Sequence, residues 1–227
     1  MGVKKILMVI TSEIYLFIIS SMTLHFLAPK NKNIWPDMWH TCLASWQKHY
    51  SDIKVWNDNE IDDFIKKYDP NFFKVLNQSH KIFRLDYVRG LILEKIGGAY
   101  IDIDIELISP FMHQINNNNI YIIEAYAEDE VFQNSLMISS QSNFWTEFLY
   151  HCRESIFKNL ESVAMYPNIK EKIPGTIVRK TVGPIALSDF IINNNKKVKK
   201  LPNDLFNSSK DICFTKHHHT GIWGFLD

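Results

Sequence analysis

The sequence predicts an α/β fold, a layered sheet with helices packed against it, in a domain that covers residues 22–227. Segments with strand-like and helix-like patterns alternate along the chain, as they do in such sheets. The 227 residues contain no long spacer, which favours a single domain. Hydrophobic residues make up 46% of the chain and aromatic residues 13%, which is enough for a sizeable buried core.

The first half of the chain predicts two strands, each followed by a helix. In order, these are a strand at 22–27, a helix at 36–50, a strand at 53–56 and a helix at 57–67. The first helix is indicated by Trp39, Leu43 and Trp46, which lie near one face at helical spacing. Asn57 can cap the second helix, and Asp69-Pro70 is expected to end it.

The second half begins with the clearest helix pattern, at 79–96. Gly97-Gly98 follows it directly, and glycine ends helices well because it tolerates positive φ. The remaining predictions are strands at 99–106, 120–125 and 136–139, a turn at 116–119, and helices at 143–160 and 184–192. This continued alternation supports the layered sheet.

The N-terminal extension, residues 1–21, has two interpretations. Two lysines precede an apolar stretch at 6–27, and roughly 20 such residues span a bilayer. Glu13 near its middle opposes insertion, because a carboxylate at the bilayer centre costs about 2.5–3.5 kcal/mol. If residues 4–21 are an anchor, the protein associates with a secretory or Golgi-type membrane through its N-terminus. Otherwise they form a buried element of a cytoplasmic protein.

The charge balance and the cysteines exclude several classes of protein. The 25 basic and 25 acidic side chains give a net charge of zero, so the sequence indicates no nucleic-acid partner. The three cysteines are odd in number and far apart. They therefore indicate neither a disulfide framework nor a metal site with paired spacing.

The chemistry is concentrated in the predicted strand at 99–106. Side chains of a strand alternate between its two faces. Here one face is apolar and the other acidic, with Ile101, Ile103 and Ile105 opposed to Asp102, Asp104 and Glu106. Neighbouring carboxylates repel one another unless a cation lies between them, and hard oxygen ligands suit Mg²⁺ or Mn²⁺. The pattern indicates a divalent-metal site, with an ordinary exposed acidic strand as the alternative.

The preceding helix carries two opposite charges inside its apolar sector. Asp86 and Arg89 lie three residues apart, on the side of the helix that also holds Leu85, Val88 and Ile92. Charges in such a position are costly unless they are paired. Asp86 and Arg89 therefore form a structural ion pair or line a functional site.

These residues resemble the DXD-containing sugar-binding region of a glycosyltransferase family. That family includes yeast outer-chain mannosyltransferases, capsular polysaccharide transferases and the core of the clostridial glucosylating toxins. The shared pattern consists of Asp86, Arg89, Gly97-Gly98, Tyr100 and Asp102-Ile103-Asp104. Weaker similarities, including Thr181-Val182-Gly183-Pro184, extend from Met22 to Trp223.

The resemblance implies a GT-A-type, Rossmann-like fold that binds a nucleotide-sugar at the ends of its strands. Asp104 would bind the divalent ion directly. Asp102 would contact the donor ribose or the ion's water shell. Asp86 and Arg89 would hold the donor sugar and its diphosphate. The four residues together form the predicted catalytic group.

The resemblance also implies roles for residues outside this group. His25, Gly98, Tyr100 and Trp223 would contact the donor, and His219 would complete the metal site. Ile222 stands where relatives often have serine, and this departure weakens the likeness near the C-terminus. His219 belongs to a run of three histidines, for which a surface tract is the alternative interpretation.

The implied activity is metal-dependent transfer of a hexose-type sugar from a UDP- or GDP-linked donor to a glycan or protein acceptor. Retention of anomeric configuration is expected. Two alternatives stay open. A D-x-D after an apolar strand also occurs in haloacid-dehalogenase-like phosphatases, although Gly97-Gly98 and the helix charges have no place there. The second alternative is a catalytically inactive module that binds nucleotide-sugars.

Overall fold

A six-stranded mixed sheet organises the computed structural model, which describes residues 22–125, 131–160, 175–207 and 212–220. The strands are β1 (Leu24–Leu27), β2 (Ile53–Trp56), β3 (Gly98–Ile101), β4 (Ile105–Leu107), β5 (Tyr121–Glu124), β6 (Phe132–Ser139), β7 (Lys199–Leu201) and β8 (Thr215–His217). The helices are α1 (Asp37–Gln47), α2 (Asp58–Tyr68), α3 (Pro70–Asn77), α4 (Lys81–Lys95), α5 (Asn143–Lys158), α6 (Gly175–Thr181), α7 (Pro184–Asn193) and α8 (Asn203–Phe206).

The strand order in the main sheet is β2-β1-β3-β6-β5-β7. Strands β2, β1 and β3 are parallel, β6 is antiparallel to both of its neighbours, and β7 is parallel to β5. Strands β4 and β8 form a separate antiparallel pair. This arrangement confirms the predicted α/β class. It also places the carboxyl ends of β1, β2 and β3 at one edge of the sheet.

Two apolar clusters cover the two faces of the main sheet. Along β3, Tyr100 points to the face packed by α4, α5 and α7, whereas Ala99 and Ile101 point to the face packed by α1. Helix α4 is buried over most of its surface. A helix enclosed in this way accommodates charges only where they are paired, so Asp86 and Arg89 need partners inside the protein.

The predicted strand at 99–106 is wrong as one continuous element. Strand β3 ends at Ile101, the Ile105 amide donates to the Asp102 carbonyl at 3.0 Å, and β4 begins at Ile105. The turn separates Asp102 and Asp104 from regular strand geometry. Ile103 nevertheless stays buried, so the apolar half of the alternation correctly identified the core side of this segment.

Several other boundaries differ from the sequence prediction. Asp69-Pro70 ends α2 as expected but also begins α3, because the Asp69 carboxylate caps the new helix and proline fits its first turn. Strand β6 starts four residues before the predicted 136–139. The short elements α6, β7, α8 and β8 were not predicted, because none has enough residues to show a period.

Gly97 and Gly98 make the turn from α4 into β3. Their φ angles are 76° and 100°, a region that side chains rarely adopt. A Cβ atom on Gly98 would lie 2.3 Å from the Thr23 carbonyl oxygen. Gly98 therefore lets β3 approach the segment before β1 closely.

The N-terminal extension 1–21 and Trp223 lie outside the described residues. The predicted roles of both therefore stay predictions. Leu24–Leu27, the end of the apolar stretch, is a buried strand of the sheet. Among the described residues, no helix has both the length and the apolar character needed to cross a membrane.

His25 lies inside the fold, with 1% of its surface exposed. Its Nε2 atom is 2.9 Å from the Gly97 carbonyl oxygen, and its Nδ1 atom accepts a hydrogen bond from the Trp56 indole at 3.2 Å. These partners suit a neutral ring. Burial lowers the pKa of His25 from 6.5 to about 4, although the Gly97 carbonyl and Asp52 oppose the shift.

We expect this histidine to make stability fall in mild acid. Below pH 6.5 the unfolded chain takes up a proton at His25, whereas the folded protein does not until about pH 4. The contribution of neutral His25 to the free energy of unfolding is complete above pH 6.5. It falls by about 1.4 kcal/mol per pH unit as the pH drops towards 4. Between pH 7.5 and 5, the free energy of unfolding should fall by about 2 kcal/mol less in His25→Gln than in the wild type. Urea unfolding at the two pH values tests this, and an unchanged loss in the variant would contradict it.

Candidate active site

Three parts of the chain meet where β3 ends. Helix α4 supplies Asp86 and Arg89, the turn after β3 supplies Asp102 and Asp104, and the end of β8 supplies His217. Asp102 is two residues after Tyr100 and lies on the α4 side, where it meets Arg89. Pairing between β4 and β8 brings the C-terminal segment alongside the turn. The location agrees with the rule that α/β sheets bind ligands beyond the carboxyl ends of their strands.

Arg89 connects the helix to the turn. Its guanidinium lies 2.9 Å from Asp86 Oδ1 and 3.1 Å from Asp102 Oδ1, and it donates to the Asn134 carbonyl oxygen at 3.0 Å. The guanidinium also stacks 4.9 Å above the centre of the Tyr100 ring. The Tyr100 hydroxyl donates to Asp102 Oδ1. The structure thus brings together Asp86, Arg89, Tyr100 and Asp102 in one buried network.

Burial and charge act against each other in this network. Burial raises the pKa of Asp86 to about 6, although the Arg89 charge opposes the shift. Burial also raises the pKa of Asp102, again against Arg89. For Arg89 itself burial favours the neutral form, but Asp102 and Asp86 outweigh it and raise its pKa. The guanidinium is therefore permanently charged, and it is what keeps the two buried carboxylates ionised near neutral pH.

Gly183 completes the surroundings of Asp86 from the start of α7. A Cβ atom on Gly183 would lie 3.1 Å from Asp86 Oδ2 and 2.9 Å from the Arg179 Cα atom. No side chain fits there without displacing backbone. The Thr181-Val182-Gly183-Pro184 similarity thus has a local explanation, which is close packing against the aspartate.

Asp104 is held by the C-terminal segment through both carboxylate oxygens. Oδ1 is 3.2 Å from His217 Nε2, and Oδ2 accepts hydrogen bonds from the Thr220 amide at 2.8 Å and the Thr220 hydroxyl at 3.0 Å. Burial alone would raise the pKa of Asp104, but His217 and Thr220 outweigh burial and hold the pKa well below its usual range. Asp104 is therefore ionised throughout the physiological range.

Asp102, Asp104 and His217 form a group suited to a cation. Each offers one ligand atom, and the three atoms lie within 4.8 Å of one another. His217 Nδ1 is 3.0 Å from Asn207 Oδ1. If Nδ1 carries the ring proton, Nε2 presents a lone pair to Asp104 Oδ1, and a proton or a cation must lie between these two acceptors. Two carboxylates and an imidazole are a donor set that Mn²⁺ accepts.

Other predicted site residues lie outside this group. Gly98 is the first residue of β3, at the end away from Asp102, and the His25 side chain points back to that end, with Nε2 2.9 Å from the Gly97 carbonyl oxygen. His219 lies beside the group, with its ring 3.9 Å from that of His217. Their donor and metal roles stay predictions. His217 was missed, because the three residues of β8 are too few to show an alternation from which its orientation could be predicted.

The backbone of His219 has a role of its own. Its φ angle is 48°, in the left-handed region that glycine tolerates and other residues seldom adopt. This conformation turns the chain so that Thr220 faces Asp104. The residue is therefore suited either to ligating through its ring or to shaping the turn through its backbone.

Two substitutions separate these roles of His219. His219→Gly keeps the turn and removes the ring, so Mn²⁺ affinity should stay within about threefold of the wild type if only the backbone matters. His219→Val retains a side chain but disfavours positive φ, which costs about 1–3 kcal/mol, so stability and affinity should both fall. Calorimetric Mn²⁺ titration and urea unfolding provide the two readouts. A tenfold loss of affinity in His219→Gly would instead identify the ring as a ligand.

Comparison with known proteins agrees with the predicted resemblance. Residues 36–125 match the family model described as a glycosyltransferase sugar-binding region containing a DXD motif. This confirms the resemblance over a segment that contains Asp86, Arg89, Asp102 and Asp104, and it agrees with the implied GT-A-type fold. His25, His217, His219 and Trp223 lie outside the matched segment. No curated protein matches the chain in sequence.

Three solved glycosyltransferase structures have a similar course of the chain. The PaToxG glycosyltransferase is 16% identical, with a TM-score of 0.46 over 80% of this chain and 76% of that one. The ligand-free glycosyltransferase domain of the YGT toxin is 11% identical, with a TM-score of 0.41 over 70% of this chain and 54% of that one. Its UDP-bound form is also 11% identical, with a TM-score of 0.39 over 66% and 52%. The chain thus spans about half the length of the YGT domain.

Proposed function

We propose that this chain, which carries the sugar-binding region of the DXD glycosyltransferases at 36–125, transfers a hexose-type sugar from a nucleotide-sugar to a glycan or protein acceptor. The observation that carries the proposal is that two groups of charged side chains at the end of β3 share Asp102. One is the Asp86–Arg89–Asp102 network, and the other is the Asp102–Asp104–His217 group.

The net charge of this site supports a proposed role for a cation. Asp86, Asp102 and Asp104 contribute three negative charges and Arg89 one positive charge, so the net charge is −3 + 1 = −2 when all are ionised. An anionic diphosphate would be repelled by such a cluster. A divalent ion at Asp102, Asp104 and His217 would balance the charge and stabilise the diphosphate leaving group. We therefore propose dependence on Mn²⁺ or Mg²⁺.

Arg89, Asp86 and Asp104 would each have a separate role in the proposed transfer. Arg89 is fixed by two carboxylates and by the Tyr100 ring, so its position changes little when the donor binds. Such a prearranged charge favours a developing negative charge without reorganisation. Asp86, which shares Arg89 with Asp102, would accept a hydrogen bond from a donor-sugar hydroxyl. Asp104 would stay ionised because the two Thr220 hydrogen bonds favour the charged form of its carboxylate.

We further propose retention of anomeric configuration. In the described residues, the carboxylates at the site are all committed to Arg89, Tyr100, His217 or Thr220, and none is left over to act as a nucleophile. Attack from the face of the departing diphosphate, through an oxocarbenium-like transition state, would retain configuration. Proton NMR of the first-formed product would distinguish retention from inversion.

Donor hydrolysis with and without metal tests the proposed function. UDP- and GDP-linked hexoses should release nucleoside diphosphate slowly in the presence of Mn²⁺, and release should stop with a chelator. Bound donor should also raise the melting temperature by mass action. Donor binding without release or transfer would favour the inactive binding module.

A phosphatase assay addresses the other alternative. In haloacid-dehalogenase-like enzymes the first aspartate of the motif is the nucleophile, whereas Asp102 Oδ1 is engaged by both Arg89 and Tyr100. Hydrolysis of a generic phosphomonoester should therefore be absent. If it occurred at a rate above that of donor hydrolysis, the glycosyltransferase proposal would be overturned.

A further inference from the structure

Thr220 contacts Asp104 as a hydrogen-bond donor and is not a member of the cation group. Its amide and its hydroxyl both donate to the same oxygen, Oδ2, at 2.8 and 3.0 Å. The other oxygen, Oδ1, faces His217 Nε2 at 3.2 Å. The two hydrogen bonds thus fix the rotation of the carboxylate and leave Oδ1 on the side of the cation group.

The backbone around Thr220 is arranged for these contacts. The His218 amide donates to the Asp104 carbonyl oxygen at 3.0 Å, which places the C-terminal segment directly against the turn. His219 then adopts a φ of 48°, and the chain reverses so that the Thr220 amide points back to the carboxylate. The less common backbone conformation of His219 therefore occurs where it directs the Thr220 amide towards Asp104.

Trp39 holds the Thr220 hydroxyl from the other side. The indole Nε1 donates to Thr220 Oγ1 at 3.1 Å, and the Trp39 side chain is fully buried in α1. Since the hydroxyl accepts this hydrogen bond, its own proton is directed to Asp104 Oδ2. Trp39, Thr220 and Asp104 form a continuous chain of hydrogen bonds from a rigid helix to the turn.

Helix α1 is attached to the same turn at two further points. The Trp46 indole donates to the Ile105 carbonyl oxygen at 2.8 Å, and the Ser45 hydroxyl accepts from the Leu107 amide at 2.8 Å. Helix α1 therefore fixes the backbone of β4 as well as the Asp104 side chain. It contributes none of the three atoms of the cation group.

We propose that Trp39 and Thr220 are positioning residues that hold the Asp104 carboxylate in its metal-binding orientation. The proposal rests on the metal role given to Asp104 in the proposed function. A carboxylate held in one rotation loses little conformational freedom when it binds an ion, and outer partners of this kind typically change metal affinity by about 10–100-fold.

A calorimetric titration of the full chain with Mn²⁺, in the absence of any donor, tests this role. Thr220→Val removes the hydroxyl and preserves the shape, and it should weaken Mn²⁺ binding by about tenfold or more. Thr220→Ser keeps both donors and should stay within about threefold of the wild type. Trp39→Phe keeps most of the packing and removes the indole donor. We expect its Mn²⁺ affinity to lie between those of Thr220→Val and Thr220→Ser.

A matched control uses a neighbouring contact of the same segment. His218 Nε2 lies 3.0 Å from Glu106 Oε2, so Glu106→Gln alters a polar contact between β4 and the C-terminal segment without touching Asp104. Its Mn²⁺ affinity should be unchanged. Melting temperatures of all variants separate lost affinity from lost structure, and rescue by serine is a result that a purely structural role would not give.

The outcomes separate the two proposals. If Asp104→Asn binds Mn²⁺ as tightly as the wild type, the metal role of Asp104 fails and the positioning role fails with it. If Asp104→Asn binds weakly while Thr220→Val and Trp39→Phe bind normally, only the positioning role is overturned. Should Thr220→Val not fold, Thr220→Ser and Trp39→Phe still decide, because equal affinity of Trp39→Phe and wild type would refute the hydrogen-bond chain.

Discussion

Replacing Asp104 by asparagine is expected to reduce sugar transfer by about 10²–10³-fold, which is the loss typical of removing one group that stabilises charge on the reacting atoms. Asparagine keeps the size but has only one side-chain oxygen. If that oxygen keeps the Thr220 hydrogen bonds, an amide NH2, which does not ligate metals, faces the cation. The substitution also reduces the charge of the site from −2 to −1. The measurement is the rate of nucleoside diphosphate release at saturating donor over a range of Mn²⁺ concentrations.

The matched control for this variant is Glu106→Gln. Glu106 lies two residues further along, and its carboxylate is paired with His218 outside the cation group. Both substitutions remove one charge from neighbouring positions, so a general electrostatic effect would slow both variants. We expect a rate near that of the wild type for Glu106→Gln. Equal rates in Asp104→Asn and wild type would refute the metal role of Asp104.

Replacing Arg89 by methionine should have the largest effect on stability. The change leaves Asp86 and Asp102 buried without their shared counter-charge, and breaking a buried pair in this way costs about 3–5 kcal/mol. Methionine preserves much of the length and the apolar stem. Urea unfolding at pH 7.5 measures the loss, and transfer activity should disappear with the guanidinium.

A second-site test shows whether the lost charge balance is the cause. Adding Asp86→Asn and Asp102→Asn to Arg89→Met makes the network neutral, so this triple variant should regain most of the lost stability while it stays inactive. Arg84→Met, on the same helix, breaks a more exposed pair with Asp62 and should cost about 1 kcal/mol or less. A similar loss in the two single variants would contradict a special role for Arg89.

The sequence identified the elements whose patterns are long. Helix α4 and the glycine turn after it were predicted to within two residues, because a buried helix and two glycines with positive φ leave clear signals. The spacing of Asp86 and Arg89 inside an apolar sector predicted that the two charges are paired or line a site. Their meeting with Asp102 was expected only from the family resemblance.

The C-terminal half of the site was harder to foresee. Strand β8 has three residues and pairs with β4, which begins after an unpredicted turn. Neither strand shows a period, and their pairing is a tertiary contact across the chain. The choice of His217 over its two neighbours depends on that register, in which Ile105 lies opposite His217. Hydrophobic patterns do not specify a register between such short segments.

The pairing of β4 with β8 has a consequence for the order of events during synthesis. Asp104 and Thr220 are 116 positions apart, so the ribosome makes one half of the cation group long before the other. A nascent chain that has not yet reached Thr215 carries the carboxylates without their imidazole and without the donors that orient them. The cation group is therefore complete only after every strand of the main sheet has been synthesised.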